Sequence, residues 1–134
     1  MTLPEPELDA EARHAFERGV AQFNTGYFFE CHDTLEEVWG GVRGPARDFL
    51  QGLIQVSVGC YHLTGGNAVG AQSMFERALK RLAKYPDVYW GFDLAAHRRE
   101  VEAWLARLRA GAAEPSLEQL PKWSFAWLPL PPGA

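Results

Sequence analysis

Apolar positions return every three or four residues along most of the chain and strict alternation is nearly absent, so the pattern predicts helices rather than strands. Ala12, Phe16, Val20 and Phe23 mark one face of a first helix over Ala10–Phe23, with Asp9 placed to cap it and Asn24-Thr25-Gly26 to close it. A second helix is predicted over Tyr27–Trp39, ending at Gly40-Gly41. Gly44-Pro45 opens a third, about Ala46–Leu63, because proline is tolerated in a first turn whose N–H groups have no helical partner. Phe49, Leu53, Ile54, Val56, Cys60 and Tyr61 surround most of that helix, which places it at the centre. Asn67 and Asp93 can cap a fourth helix over Ala68–Tyr85, stopped by Pro86, and a fifth over Leu94–Ala110, followed by Gly111.

Connections of a few residues imply antiparallel neighbours, hence an all-α, up-and-down bundle of about five helices over residues 1–112. Residues 113–134 differ. Pro115, Pro121, Pro129, Pro131 and Pro132 interleave with Trp123, Phe125 and Trp127, which rules out a regular helix. The expectation is an extended strap whose aromatics cover the bundle, since so many exposed rings on a mobile segment would promote aggregation.

At 134 residues the chain is long enough for one core, and 47% apolar with 22% charged residues describes an ordinary globular domain. A net charge of -4 provides no footprint for nucleic acid or an anionic membrane. The basic clusters Lys80, Arg81, Lys84 and Arg98, Arg99, Arg107, Arg109 are expected on solvated helix faces. No secretory signal or membrane-spanning run is visible. Cys31 and Cys60 lack the spacing of a zinc or redox motif, so reduced, buried thiols in a cytoplasmic protein are expected, with a disulfide between them as the alternative.

The candidate chemistry lies in the second helix. His32 and Glu36 are four residues apart, and Phe28, Phe29, Leu35 and Trp39 all project within ~60° of His32 on a helix. The pair is therefore expected inside the apolar stripe, with Glu30, Asp33, Thr34 and Glu37 on the solvent side. On the third helix Asp48, Gln51, Gly52, Gln55, Gly59 and His62 form a polar and small-residue line; facing the second helix, it would bring Gln51, Gln55 and His62 to His32 and Glu36. One reading makes His32, Glu36 and His62 the ligands of a divalent transition metal, zinc or iron, with Trp39, Gln51 and Gln55 lining the pocket or orienting a ligand. The other makes the same groups a buried hydrogen-bond network that only specifies helix register. His97 can join the site from the fifth helix, and His14 is expected at the edge of the core. No phosphate loop, dinucleotide fingerprint, zinc-protease motif or serine-hydrolase elbow is present.

The runs FNTGYFFECHDTLEEVW and FLQGLIQVSVGCYHLTGGNAVGA together resemble a prokaryotic family known as domain of unknown function 309, over about Phe23 to Tyr85 and again in the helix from Asp93. The family's signature, His, three residues, Glu, two residues, then Trp or Tyr, is met by His32, Glu36 and Trp39. The resemblance implies a small all-helical bundle of bacterial or archaeal origin and carries a suggestion of metal binding onto His32 and Glu36. It brings no established activity. If the protein is an enzyme, metal-assisted hydrolysis needs the fewest missing parts, with Glu36 as base where it is not a ligand. The rival expectation is a non-catalytic interaction module, because QFNTGYFFECHDTLEEVW also resembles one helix pair of a tetratricopeptide array. The partner would then be an unknown protein, held by the aromatic tail or in a groove between helices, or a small molecule in the enzymatic case, and the sequence does not fix the oligomeric state.

Overall fold

The computed structural model describes residues 3–111 and 117–128. Among them are five α-helices, α1 (Ala10–Asn24), α2 (Phe28–Gly40), α3 (Pro45–Thr64), α4 (Ala68–Leu82) and α5 (Leu94–Arg109), with a two-stranded hairpin, β1 (Val88–Tyr89) and β2 (Phe92–Asp93), between α4 and α5. Each helix packs against the next in sequence, giving the expected all-α arrangement with α3 in the middle. None of these helices is long and apolar enough to cross a membrane. The expected domain boundary at residues 112–113 and the last prolines of the tail lie outside the described residues.

The helix starts follow from local hydrogen bonding. Asp9, Asn67 and Asp93 accept from the backbone N–H of Ala12, Gly70 and Ala96 respectively, satisfying donors that the helix itself leaves open. Gly44 sits at φ 72°, a conformation that favours glycine, and turns the chain into Pro45. α4 stops at Leu82, three residues before the predicted end. Arg98 from α5 donates to the carbonyls of Leu82 (3.0 Å) and Tyr85 (3.2 Å) and pairs with Asp87 (2.9 Å), so a cation caps the negative end of α4. The expectation of a merely solvated basic face fails here. It fails also at Arg81 and Lys84, which both hold the Asp48 carboxylate of α3. Partial burial of Asp48 opposes its ionisation, yet the hydrogen bonds and charges of Lys84 and Arg81 outweigh that and keep its carboxyl below the ordinary range.

α3 is buried on nearly every side. Its glycines serve helix contact: a Cβ on Gly52 would lie 2.7 Å from a methyl of Leu82, and one on Gly59 2.5 Å from the Phe75 ring. The small-residue line therefore fronts α4, and the expectation that the whole polar stripe faces α2 is corrected.

The hairpin was not legible from alternation, being only two residues per strand. Trp90 (φ 53°) and Gly91 (φ 70°) form its turn, the left-handed pair that a two-residue hairpin requires. Phe125 bridges Phe92, and their rings stack with centroids 4.6 Å apart. Trp123 lies face to face with Phe23 at 3.7 Å, its backbone N–H donates to Asn24 Oδ1 (2.7 Å), and Asn24 Nδ2 donates back to its carbonyl (2.8 Å). Ring pairs of this kind add ~0.5–1.5 kcal/mol beyond the area they bury. Residues 120–125 thus lie across the bundle with Leu120, Trp123 and Phe125 buried.

Candidate metal centre

The turn of α2 that carries the chemistry points outward. Its buried residues are Phe28, Cys31, Thr34, Leu35 and Val38, a face centred roughly 90° around the helix from His32. Thr34, expected in solvent, is buried because its hydroxyl donates to Gln22 Oε1 of α1 at 2.7 Å. Phe29, expected inward, is 49% exposed. The side chain of His32 retains 25% of its exposure and that of Glu36 55%, so the pair sits on the rim of the α2–α3 groove rather than in the core.

On that rim the imidazole lies between two carboxylates. His32 Nε2 is 3.0 Å from Glu36 Oε1, one helical turn on, and His32 Nδ1 is 3.3 Å from Asp33 Oδ1. A neutral imidazole has a single N–H and can donate to only one of them. Both contacts are satisfied together when a cation is present, either a second proton on the ring or an ion bridging the nitrogen and a carboxylate. One donor atom from each of His32, Asp33 and Glu36 falls within 4.8 Å of the others. Sequence reasoning missed Asp33, since a helical wheel assigns it to solvent. The usable signal was its adjacency to a histidine that is itself at the surface.

His62 is brought to the same groove but not to the donor cluster. Together with His32, Phe28, Phe29, Val58 and Tyr61 it lines a cleft of about 130 Å³, and its Nδ1 is 3.3 Å from Asn67 Nδ2 at the α3–α4 turn. Gln51 and Gln55 do not line this cleft. Gln55 is buried with its Oε1 unpaired, as is Nε1 of Trp39, whose ring is instead covered by the Arg47 guanidinium 3.7 Å from its centroid. His97 is not at the groove. It is buried beside Phe92 and the tail, accepting from Trp123 Nε1 at 3.4 Å, and burial pushes it down to about 3. His14 is exposed, at 4.0 Å from Glu17.

The cysteines are free and buried. Burial pushes the Cys31 thiol up to about 12, against hydrogen bonds with Ser57 and the Phe23 backbone, and pushes Cys60 higher still. Neither is available as a thiolate nucleophile at neutral pH.

The molecule is therefore a small antiparallel helical bundle with a histidine–carboxylate cluster at the edge of an aromatic cleft. Residues 16–74, from the inner half of α1 to the first half of α4, match the family described as "Domain of unknown function (DUF309)", and the chain resembles that family across this segment, which contains His32, Glu36 and His62. An uncharacterized protein of Aquifex aeolicus (strain VF5) is 31% identical over 108 residues, a stretch that covers 80% of this chain but 30% of that relative.

Proposed function

We propose that the outward face of α2 binds a divalent transition-metal ion, zinc or iron, through His32 Nε2 and Glu36, with Asp33 as the third donor or as the group that orients the imidazole. The observation that supports this reading is the placement of one imidazole between two carboxylates. The residues fit the ion. Two ligands each about 2.1 Å from a metal are roughly 3.0–3.4 Å apart for angles between 90° and tetrahedral. His32 Nε2 and Glu36 Oε1, at 3.0 Å, already meet that requirement. An imidazole with carboxylates suits zinc or non-haem iron better than a hard, oxygen-seeking cation.

An ion held there would supply a bound water of lowered pKa, so metal-assisted hydrolysis is the reaction class this site serves if it is catalytic. The chain's own groups then have separate tasks. Asp33 on Nδ1 fixes the ring so that Nε2 points to the shared position. Whichever carboxylate is not a ligand can hold a proton, and Phe28, Phe29 and Tyr61 keep water from one side. In this reading His62 forms the far wall of the cleft, since its Nδ1 is engaged by Asn67. The free, buried thiols of Cys31 and Cys60 suit a reducing, cytoplasmic setting.

The rival interaction-module reading loses part of its support, because Trp123 and Phe125 of the aromatic tail are buried rather than offered to a partner. Metal analysis of protein purified without chelator, set beside a His32→Ala/Glu36→Ala double variant, tests the proposal. Stoichiometric metal in the parent that is lost in a variant of unchanged helical content is expected. A metal-free parent that also fails to take up zinc or iron in titration overturns it.

A further inference from the structure

Beside His32 the α2–α3 groove has a property that a metal site does not need. Phe29 and Tyr61 are large aromatic side chains left 49% and 46% exposed, and they meet across the cleft with ring centroids 5.5 Å apart and planes inclined at 52°. The His32 ring is 5.8 Å from Phe29, and the His62 ring is 5.8 Å from Tyr61. The result is a corner of ring faces opening on a space of about 130 Å³, slightly smaller than the ~150 Å³ cavity that accommodates benzene.

The charge on α2 has one sign. α2 carries Glu30, Asp33, Glu36 and Glu37 and no lysine or arginine, and none occurs between Arg18 and Arg43 or between Arg47 and Arg77. From the tail, Lys122 is turned onto the Asn24 carbonyl at 3.0 Å. Aromatic faces attract cations through their quadrupole when the cation lies within ~6 Å of the centroid, and the Asp33 and Glu36 carboxylates, in contact with the His32 that lines the cleft, add to that field. A neutral apolar ligand would use the walls but not the rim, and an anion would be repelled by it.

We propose that this cleft binds an organic ammonium group, the trimethylammonium or methylated amine head of a small molecule, against Phe29 and Tyr61 with Asp33 and Glu36 at its mouth. The site stands apart from the metal reading, because neither ring is a metal ligand. The two share the carboxylates, so a bound divalent ion and a bound ammonium oppose each other.

The test is a titration of chelator-stripped protein with choline and with 3,3-dimethylbutan-1-ol, its uncharged isostere of the same shape, followed by NMR. Choline is expected to shift resonances of Phe29, His32, Tyr61 and His62, with the alcohol at least about tenfold weaker. A Phe29→Leu/Tyr61→Leu variant, which keeps apolar bulk at two half-exposed positions, is expected to lose at least about tenfold in choline affinity while keeping its helical content and cooperative unfolding. Glu36→Gln is expected to weaken choline, and added salt to weaken it further. Equal binding of choline and alcohol, shifts confined to other faces, or no shift at all overturns the proposal. Choline binding by a protein that takes no metal would leave this site standing and remove only the metal.

Discussion

Gly59→Ala tests the contact that sets the spacing of α3 and α4. The added Cβ would lie 2.5 Å from Cε1, 2.7 Å from Cδ1 and 3.3 Å from Cζ of Phe75, well inside the ~3.5–4.0 Å at which carbon atoms pack favourably. Phe75 is fully buried and has nowhere to turn, and α3 cannot retreat without opening the Gly52–Leu82 contact two turns away. Overpacking of this sort costs ~1–3 kcal/mol, while alanine gains up to ~1 kcal/mol over glycine as a helix former. Contacts as short as 2.5 Å belong at the upper end of that cost, so the net expectation is a loss of about 2 kcal/mol, a fall in melting temperature of roughly 6–10 °C for a domain of this size. Gly40→Ala is the matched control. Nothing lies within 4 Å of the Cβ it would acquire at the exposed end of α2, so only the propensity gain operates and the melting temperature should hold or rise. Both are read by thermal unfolding followed by far-UV circular dichroism. A Gly59→Ala protein as stable as the parent refutes the argument that glycine sets this approach.

Trp123→Ala removes the ring stacked on Phe23 and should cost ~3–5 kcal/mol, detected as a lower denaturant midpoint; a loss below 1 kcal/mol would mean the tail does not contribute to the core. His97 is held neutral down to about 3 in the fold but takes a proton near its ordinary 6.5 when unfolded, so the unfolded state binds more protons between those values. Stability should therefore fall as pH drops through that window, by up to ~1.4 kcal/mol per unit, and His97→Phe should flatten the profile; an unchanged slope contradicts the assignment. Native Cys31 and Cys60 should resist a thiol reagent at neutral pH and react only on unfolding, and rapid labelling of the native protein would show that the burial is wrong.

The helices were legible because each begins and ends on punctuation whose chemistry is local. Asp9, Asn67 and Asp93 cap as their positions suggested, and the predicted bounds agree within one to three residues. The early end of α4 was not legible, since it depends on Arg98 reaching from another helix. The hairpin escaped because its signal is a Trp-Gly turn rather than a period. At the candidate site, position was legible and orientation was not. A wheel that counts Phe29 and Trp39 as inward turns α2 toward His32, whereas the buried face is marked by Cys31 and Thr34, small side chains that bulky aromatics outweigh in such a count. That rotation exchanges a buried His32–Glu36 pair for one on the rim of the groove and adds Asp33. Gln51 and Gln55, expected opposite the pair, do not line its cleft.

The proposed binding of a divalent ion by α2, between His32 and Glu36, can be located directly in a crystal. Its most direct test is anomalous diffraction at the zinc edge from crystals grown with one equivalent of zinc and no free excess. One strong peak is expected at bonding distance from His32 Nε2 and a Glu36 oxygen, with Asp33 as a further ligand or on Nδ1. A peak at His14 or His62 alone, or none on α2, would contradict it.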